Sequence, residues 1–243
     1  MKHLGRAISG SILAAVVAAS APATAKASDL PTNRLNEGAV VVLGHVPGIK
    51  ASGAGTVIAE NGTTIRVITA NHVATFGNLT INFEDGTAVP AHVLVAYPQN
   101  DLAIIEATVD ATHAAAIRPA VVGVPRSNEP VHIWGSGNAG PALESGAIAH
   151  VGDALPDGPA NGRYPLNCDT CHRGDSGGGI FDAQGDLVGV YVGYFETDAS
   201  RLSVAELLPA RALSIARSTA SPSQRTVGAA NAAPTTMIAA AAS

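Results

Sequence analysis

Short apolar runs of strand length, separated by turn residues, fill the chain from Glu37 onward. The runs are rich in β-branched residues, which favour strands. Asn61-Gly62 lies between two of these runs and is a strong hairpin signal, and Ser52-Gly53 is interpreted as another turn. In the first half of the chain the predicted strands are Ala39–Leu43, Gly55–Ala59, Thr64–Thr69, Leu79–Phe83, Ala91–Ala96 and Leu102–Ala107.

A second set of runs begins near Val121. Pro209 suits the first position of a short helix that ends near Ala216, and the small residues around His113 fit a short helix or a linker. Short strands at regular spacing, with turns between them, predict an all-β sandwich or barrel. The predicted strands of this second set are Pro130–Trp134, Ala142–His150, Gly179–Asp182, Leu187–Val192 and Leu202–Leu208.

The first 25 residues have the pattern of a secretory signal peptide. A positive start, Met1–Arg6, precedes an apolar run that ends at Ser20, and Ala23-Thr24-Ala25 is a suitable cleavage site. The apolar run is too short to span a bilayer comfortably, so cleavage is favoured over a retained membrane anchor. Cleavage reduces the 14 basic residues to 12 against 19 acidic ones, a net charge of −7. We therefore expect a secreted or periplasmic protein with no stable membrane insertion.

The composition agrees with a folded protein that has no nucleic-acid partner. The chain has 243 residues, of which 47% are hydrophobic and 14% charged, so it can bury a sizeable core. No stretch is basic enough to predict nucleic-acid binding.

One serine, Ser176, is bracketed by glycines in the segment Gly174-Asp175-Ser176-Gly177-Gly178. A serine hydroxyl is a weak nucleophile, and it needs a base and a group that orients that base. Histidine suits the base because its charge changes near neutral pH. His72 directly follows an apolar run, and Asp101 begins another. Taken singly, His72 could be a surface histidine, Asp101 a turn-capping residue and Ser176 part of a polar turn. Together the three residues favour nucleophilic catalysis.

The three segments resemble the motifs of trypsin-like serine proteases. Thr69-Ala70-Asn71-His72, Asp101-Leu102-Ala103 and Gly174-Asp175-Ser176-Gly177-Gly178 match them in the order His, Asp, Ser, with separations of 29 and 75 residues. The resemblance implies that Ser176 is the nucleophile, His72 the base and Asp101 its orienting partner. It also implies that the backbone N–H groups of Gly174 and Ser176 form the oxyanion hole.

The resemblance also implies a fold and a domain organisation. The expected fold is all-β, with two antiparallel six-stranded β-barrels of chymotrypsin-like type and a short C-terminal helix. We expect an N-terminal arm at 26–36, the first barrel at 37–115, the second barrel with the helix at 116–217 and a disordered Ala-rich tail at 218–243. The motif style is nearest to HtrA-like protease domains without a PDZ domain, although Asp175 stands where those proteins usually have Asn.

The specificity pocket is assigned by extending the same family resemblance to the residues around the serine motif. The resemblance places Thr170 near the pocket floor and Val192, Gly193 and Tyr194 along its wall, where animal trypsins usually have Ser-Trp-Gly. The pocket thus has no acidic floor that would favour Lys or Arg, and Tyr194 is expected to narrow it.

The two cysteines, Cys168 and Cys171, precede the serine motif in Cys168-Asp169-Thr170-Cys171-His172. In an exported protein one short disulfide is the simplest interpretation. The CxxCH pattern also matches a c-type haem attachment site, but a haem would crowd the cleft beside Ser176. Free or metal-bound thiols are a third alternative, although these cysteines with His172 supply fewer ligands than a structural zinc site requires.

The sequence therefore predicts a serine endopeptidase that needs no cofactor and acts on a protein or peptide substrate. Two alternatives stay open: a catalytically silent binding module that keeps the barrels, and an esterase-type hydrolase that uses the same triad.

Overall fold

Strands account for most of the computed structural model, which describes residues 38–46, 49–137, 142–149, 163–196 and 201–206. The predicted signal peptide, N-terminal arm, C-terminal helix and Ala-rich tail lie outside these residues. None of the helices in the described ranges has the length and apolar character needed to cross a bilayer. In chain order the elements are β1 Ala39–Val46, β2 Ile49–Asn61, β3 Thr64–Ala70, α1 Asn71–Ala74, β4 Asn78–Asn82, β5 Ala88–Tyr97, the 3₁₀ turn Pro98–Asn100, β6 Leu102–Thr108, α2 Ala111–Ala116, β7 Pro130–Gly135, β8 Ala142–Ile148, β9 Arg163–Asn167, β10 Gly179–Phe181, β11 Leu187–Glu196 and β12 Arg201–Glu206.

The strands form two closed barrels of six strands each within these residues. The first has the order β1-β2-β3-β6-β5-β4 and the second β10-β11-β12-β9-β8-β7, and every strand pair is antiparallel. Closure removes the exposed edges that an open sheet would leave. The predicted all-β, two-barrel architecture is confirmed.

Alternation along the strands supplies both the barrel interiors and the seam between the barrels. On β3, Ile65 and Val67 are buried in the core of the first barrel. Ile68 has the opposite orientation and belongs to a different cluster, which also contains Phe181 and Val190 of the second barrel. This seam between the barrels is where the candidate functional residues lie.

The predicted turn at Ser52-Gly53 is wrong. Both residues lie inside β2, where Ser52 pairs with Leu43 and Gly53 with Val42. A β-carbon at Gly53 would lie 2.6 Å from Val73 Cγ2 and 2.7 Å from the carbonyl oxygen of Ser176. The glycine therefore allows a close approach of backbone and side chain rather than a reversal of the chain.

Candidate active site

His72 and Asp101 are brought together by the pairing of β3 with β6. Ala70 at the end of β3 lies opposite Leu102 at the start of β6. The segment that follows β3 is therefore adjacent to the residue that precedes β6, Asp101. His72 is the second residue of α1, which follows β3 directly, and Asp101 precedes β6 with a left-handed backbone at φ 51°.

The Asp101 carboxylate holds His72 at two points. Oδ1 accepts a hydrogen bond from the His72 backbone N–H at 2.9 Å, and Oδ2 lies 2.7 Å from Nδ1 of the ring. The Asp101 side chain is only 7% exposed, whereas that of His72 is 36% exposed. Because a carboxylate accepts hydrogen bonds, this contact keeps the proton on Nδ1 and leaves Nε2 as the basic nitrogen of a neutral ring. Nε2 makes no hydrogen bond to any described residue.

Ser176 lies on the loop between β9 and β10, and this loop is anchored to both barrels. The Ser176 carbonyl accepts a hydrogen bond from Ala54 N of β2 at 2.8 Å. On the other side, Gly177 N donates to the carbonyl of Tyr191 on β11 at 2.7 Å. The loop thus lies across the seam. Within the described residues, no hydrogen bond joins Ser176 Oγ to His72 Nε2.

The oxyanion loop, defined here as residues 172–176, contains two backbone donors that are not used elsewhere. Neither Gly174 N nor Ser176 N donates to an acceptor in the part of the chain that the structure describes. Gly174 has φ +99°, a conformation that side-chain-bearing L-residues rarely adopt. Two unused N–H groups on one loop are the chemistry that stabilises a developing oxyanion.

Asp175, on the same loop, is buried and accepts hydrogen bonds from two backbone N–H groups. Oδ1 accepts from Gly137 N at 2.9 Å and Oδ2 accepts from His172 N. Burial raises the pKa of the Asp175 carboxyl, and the two N–H groups partly oppose that rise by stabilising the charged form. Two backbone amides, those of Gly137 and His172, are therefore the hydrogen-bond donors to the Asp175 carboxylate.

The residues predicted to line the specificity pocket differ in exposure. Thr170 is exposed, Gly193 and Tyr194 are partly buried, and Val192 is buried. The pairing of β11 with β12 shifts register between Tyr191 and Gly193, which takes Val192 out of the ladder.

The predicted disulfide between Cys168 and Cys171 is present, with a Cα–Cα distance of 5.5 Å. Both cysteines are buried in the core of the second barrel, and the carbonyl of Cys168 accepts a hydrogen bond from Ser203 Oγ at 3.3 Å. Among the described residues, no group of three or more His, Cys, Asp or Glu side chains lies close enough together to hold a metal ion.

Sequence reasoning missed Ser136, which lies directly behind the oxyanion loop. Its hydroxyl lies 2.8 Å from the Gly174 carbonyl and 3.0 Å from that of Gly53. The only local signal was its position between two glycines at the end of a predicted strand, and that pattern suggests a turn.

Two closed antiparallel barrels, with a histidine, an aspartate and a glycine-bracketed serine at their seam, define a chymotrypsin-like fold. Solved structures agree on the fold. An HtrA-type protease, AlgW with tripeptide, matches with a TM-score of 0.64 and 18% identity over 76% of this chain and 60% of that one. The serine endoprotease from Yersinia pestis matches with a TM-score of 0.59 and 20% identity over 72% of this chain and 60% of that one.

Sequence comparison supplies the family. Residues 53–190 match the model of the trypsin-like peptidase domain, and because that is more than half of the chain, the protein belongs to this family. A probable periplasmic serine endoprotease, DegP-like, from Brucella suis biovar 1 (strain 1330) is 27% identical over 65% of this chain. Its counterpart from Rhizobium meliloti (strain 1021) is 26% identical over 66%. The matched region spans 31% of each relative, about a third of its length.

Proposed function

We propose that this protein is an exported serine endopeptidase that hydrolyses peptide bonds through an acyl-enzyme intermediate. The observation that carries the proposal is the state of His72: Asp101 holds its Nδ1 side, and Nε2 makes no hydrogen bond to a described residue. That is the arrangement a general base requires next to a hydroxyl nucleophile.

In the first half of the reaction, Ser176 Oγ attacks the carbonyl carbon of the scissile peptide while His72 Nε2 takes the hydroxyl proton. The carbonyl oxygen becomes an oxyanion, and the N–H groups of Gly174 and Ser176 donate to it. Each such donor lowers the barrier by roughly 3–4 kcal/mol. The C–N bond then breaks, the leaving amine takes the proton from His72, and an ester to Ser176 remains.

In the second half, His72 removes a proton from water and the resulting nucleophile attacks the ester carbonyl. The tetrahedral intermediate collapses, Ser176 recovers its proton from His72, and the new carboxylic acid leaves. Asp101 stabilises the imidazolium that forms in both halves. Its burial strengthens that contribution, because less water screens the charge.

The substrate class and the compartment are proposed on separate observations. The AlgW protease of similar fold was solved with a tripeptide, and the curated relatives are described as periplasmic. We assign protein or peptide substrates and a periplasmic or secreted location to this chain. In the proposed pocket of Thr170, Val192, Gly193 and Tyr194 no acidic side chain is present that would favour Lys or Arg at the cleaved bond.

A fluorophosphonate reagent tests the proposal, because it forms a covalent bond only with an activated serine. We expect the folded, signal-free protein to be labelled at Ser176, and Ser176→Ala and His72→Ala to be unlabelled. His113→Ala is the matched control, since His113 also contacts a carboxylate, and it should label normally. A folded wild type that is not labelled would support the silent binding module instead.

A pair of matched substrates then separates a peptidase from an esterase. A peptide amide and the corresponding ester are compared in the wild type. Turnover of both supports an endopeptidase, whereas turnover of the ester alone would assign the protein to the esterase class.

A further inference from the structure

Ser136 is a buried hydroxyl that connects the first barrel to the oxyanion loop. It follows β7 directly and is 8% exposed. One neighbour is the carbonyl of Gly53 on β2, at 3.0 Å, and the other is the carbonyl of Gly174, at 2.8 Å. The hydroxyl therefore lies between the two structures that meet at the seam.

Among the described residues, the Gly174 carbonyl accepts a hydrogen bond from the Ser136 hydroxyl and from no other donor. A serine hydroxyl carries one hydrogen, so it serves one carbonyl fully or both weakly. Without it, the partly buried Gly174 carbonyl would lose its partner, and the cost of leaving it unsatisfied favours reorientation of the peptide.

Gly137, the residue after Ser136, holds the residue of the loop that follows Gly174. Gly137 N donates to Asp175 Oδ1 at 2.9 Å, so Ser136 and Gly137 hold Gly174 and Asp175 respectively. Gly174 has no side chain, and its conformation therefore depends on what holds its backbone. Two contacts from consecutive residues of one segment restrain the Gly174–Asp175 peptide, which directly follows the φ +99° residue.

We propose that Ser136 is a positioning residue for the oxyanion hole: its hydroxyl fixes the Gly174–Asp175 peptide, which lies between the Gly174 N–H and the Ser176 N–H, and thereby restricts how these two donors are oriented relative to each other. The inference rests on the proposed function, because the oxyanion hole matters only if Ser176 reacts. It adds a residue outside the Ser-His-Asp triad on which the transition state depends.

The first test is Ser136→Ala, assayed on a peptide substrate. Deleting a whole oxyanion donor costs about 10²- to 10³-fold in kcat, so a donor that is misdirected but still present should cost roughly 10- to 100-fold. The KM should change by less than about 2-fold, because the contact acts on the transition state and not on the bound substrate. The affinity for a peptidyl trifluoromethyl ketone, whose hemiketal oxygen occupies the oxyanion position, should fall in parallel with kcat/KM.

A second pair of variants isolates the hydroxyl from the shape of the side chain. Ser136→Thr and Ser136→Val are nearly isosteric, and only the first carries a hydroxyl. Thr should retain a higher kcat and tighter ketone binding than Val, whichever of the two is less stable. This pair keeps the proposal testable if Ser136→Ala does not fold.

Tyr164→Phe is the control for a purely structural loss. It also removes a buried hydroxyl that lies near a backbone carbonyl, that of Val188 at 3.2 Å, but this carbonyl belongs to β11 and not to the oxyanion loop. It should lower the melting temperature and leave kcat unchanged. Unchanged kcat and ketone affinity in Ser136→Ala and Ser136→Val would overturn the positioning role and leave the proposed function standing. A wild type without fluorophosphonate labelling would overturn both.

Discussion

Two histidines in this protein are held by an aspartate in the same way. In each pair one carboxylate oxygen accepts the histidine backbone N–H at 2.9 Å, and the other oxygen lies 2.7 Å from Nδ1. The first pair is His72 with Asp101 at the seam between the barrels. The second is His113 with Asp110 on α2.

The pairs differ in how far apart they are in the chain and in the exposure of the carboxylate. Asp110 is the N-cap of α2, three residues before His113, and its side chain is 60% exposed. Asp101 is 29 residues from His72, and its side chain is 7% exposed. The His113–Asp110 arrangement is local helix capping, whereas the His72–Asp101 arrangement exists only because β3 pairs with β6.

The pairs also differ at the other ring nitrogen. His113 Nε2 lies 2.8 Å from Asp85 Oδ2, and the ring packs against Phe83 with centroids 5.3 Å apart. His72 Nε2 has no hydrogen-bond partner among the described residues. A histidine–carboxylate contact therefore does not identify a base. The burial of the carboxylate and the availability of Nε2 separate the candidate base from a structural link.

The largest expected difference between the pairs is in catalysis. Asp101→Asn should lower kcat by about 10⁴-fold, because the amide favours the wrong tautomer of His72. Asp110→Asn makes the same chemical change at the other pair and should leave kcat unchanged. Peptide hydrolysis by both variants, with circular dichroism to confirm folding, measures the difference. A similar loss of kcat in the two variants would show that the two histidine–aspartate pairs do not differ in catalysis.

The next effect concerns the Cys168–Cys171 disulfide, which directly precedes the oxyanion loop in the sequence. The double variant Cys168→Ser, Cys171→Ser should lower the free energy of unfolding by about 2 kcal/mol, because the unfolded chain gains freedom when this short loop is opened. Urea denaturation measures the change, and wild type reduced with a phosphine should match the variant. Equal unfolding free energies with and without the disulfide would contradict this prediction.

A smaller effect is the pH dependence of the His113 link. Hydrogen bonds to Asp110 and Asp85 raise the pKa of His113, and the carboxyls of both aspartates have lowered pKa values, through hydrogen bonds from nearby backbone N–H groups and from His113. A raised histidine pKa stabilises the fold fully below the ordinary value of about 6.5, and the gain disappears as pH rises through the folded-state value. The lowered aspartate values stabilise the fold above about 3.9, and that gain disappears on acidification.

The measurement for this pH effect is urea unfolding of the wild type and of His113→Gln at pH 5.5 and at pH 9. The stability difference between the two proteins should be larger at pH 5.5, where His113 is charged and both aspartates are ionised. Exposed charges are well screened, so the effect should be small and should shrink further in high salt. A stability difference that is larger at pH 9 than at pH 5.5 would contradict the predicted direction of the pH dependence.

The smallest expected effect comes from freeing the second nitrogen of His113. Asp85→Ala removes the partner of Nε2 and makes that ring resemble His72 in its hydrogen bonding. Its reaction with diethyl pyrocarbonate, followed by mass spectrometry, should become faster, while kcat stays unchanged. If the Ser176→Ala, Asp85→Ala double variant hydrolysed the peptide, a histidine with an available Nε2 would be catalytic without Ser176. That result would contradict the view that such a histidine also requires a neighbouring nucleophile.

Local sequence information predicted most of the strands, because β-branched alternation is a property of neighbouring residues. It failed at β9, Arg163–Asn167, where Pro165 separates the two large buried residues Tyr164 and Leu166 in a five-residue segment. It also failed at Gly53, since a glycine that permits close approach and a glycine in a turn look alike in a sequence. The candidate triad was found because each member lies in a recognisable local motif.

The sequence by itself determined the order of the three motifs, the two sets of strands and the proximity of the cysteines that form the disulfide. Only the tertiary structure decided which aspartate is buried against which histidine, that backbone amides hold Asp175, and that Ser136 reaches the oxyanion loop. Ser136 is 38 residues from Gly174 and 83 from Gly53, so no local pattern encodes those contacts. They arise when both barrels close and pack together, because closure brings strand ends and loops from distant parts of the chain to one seam.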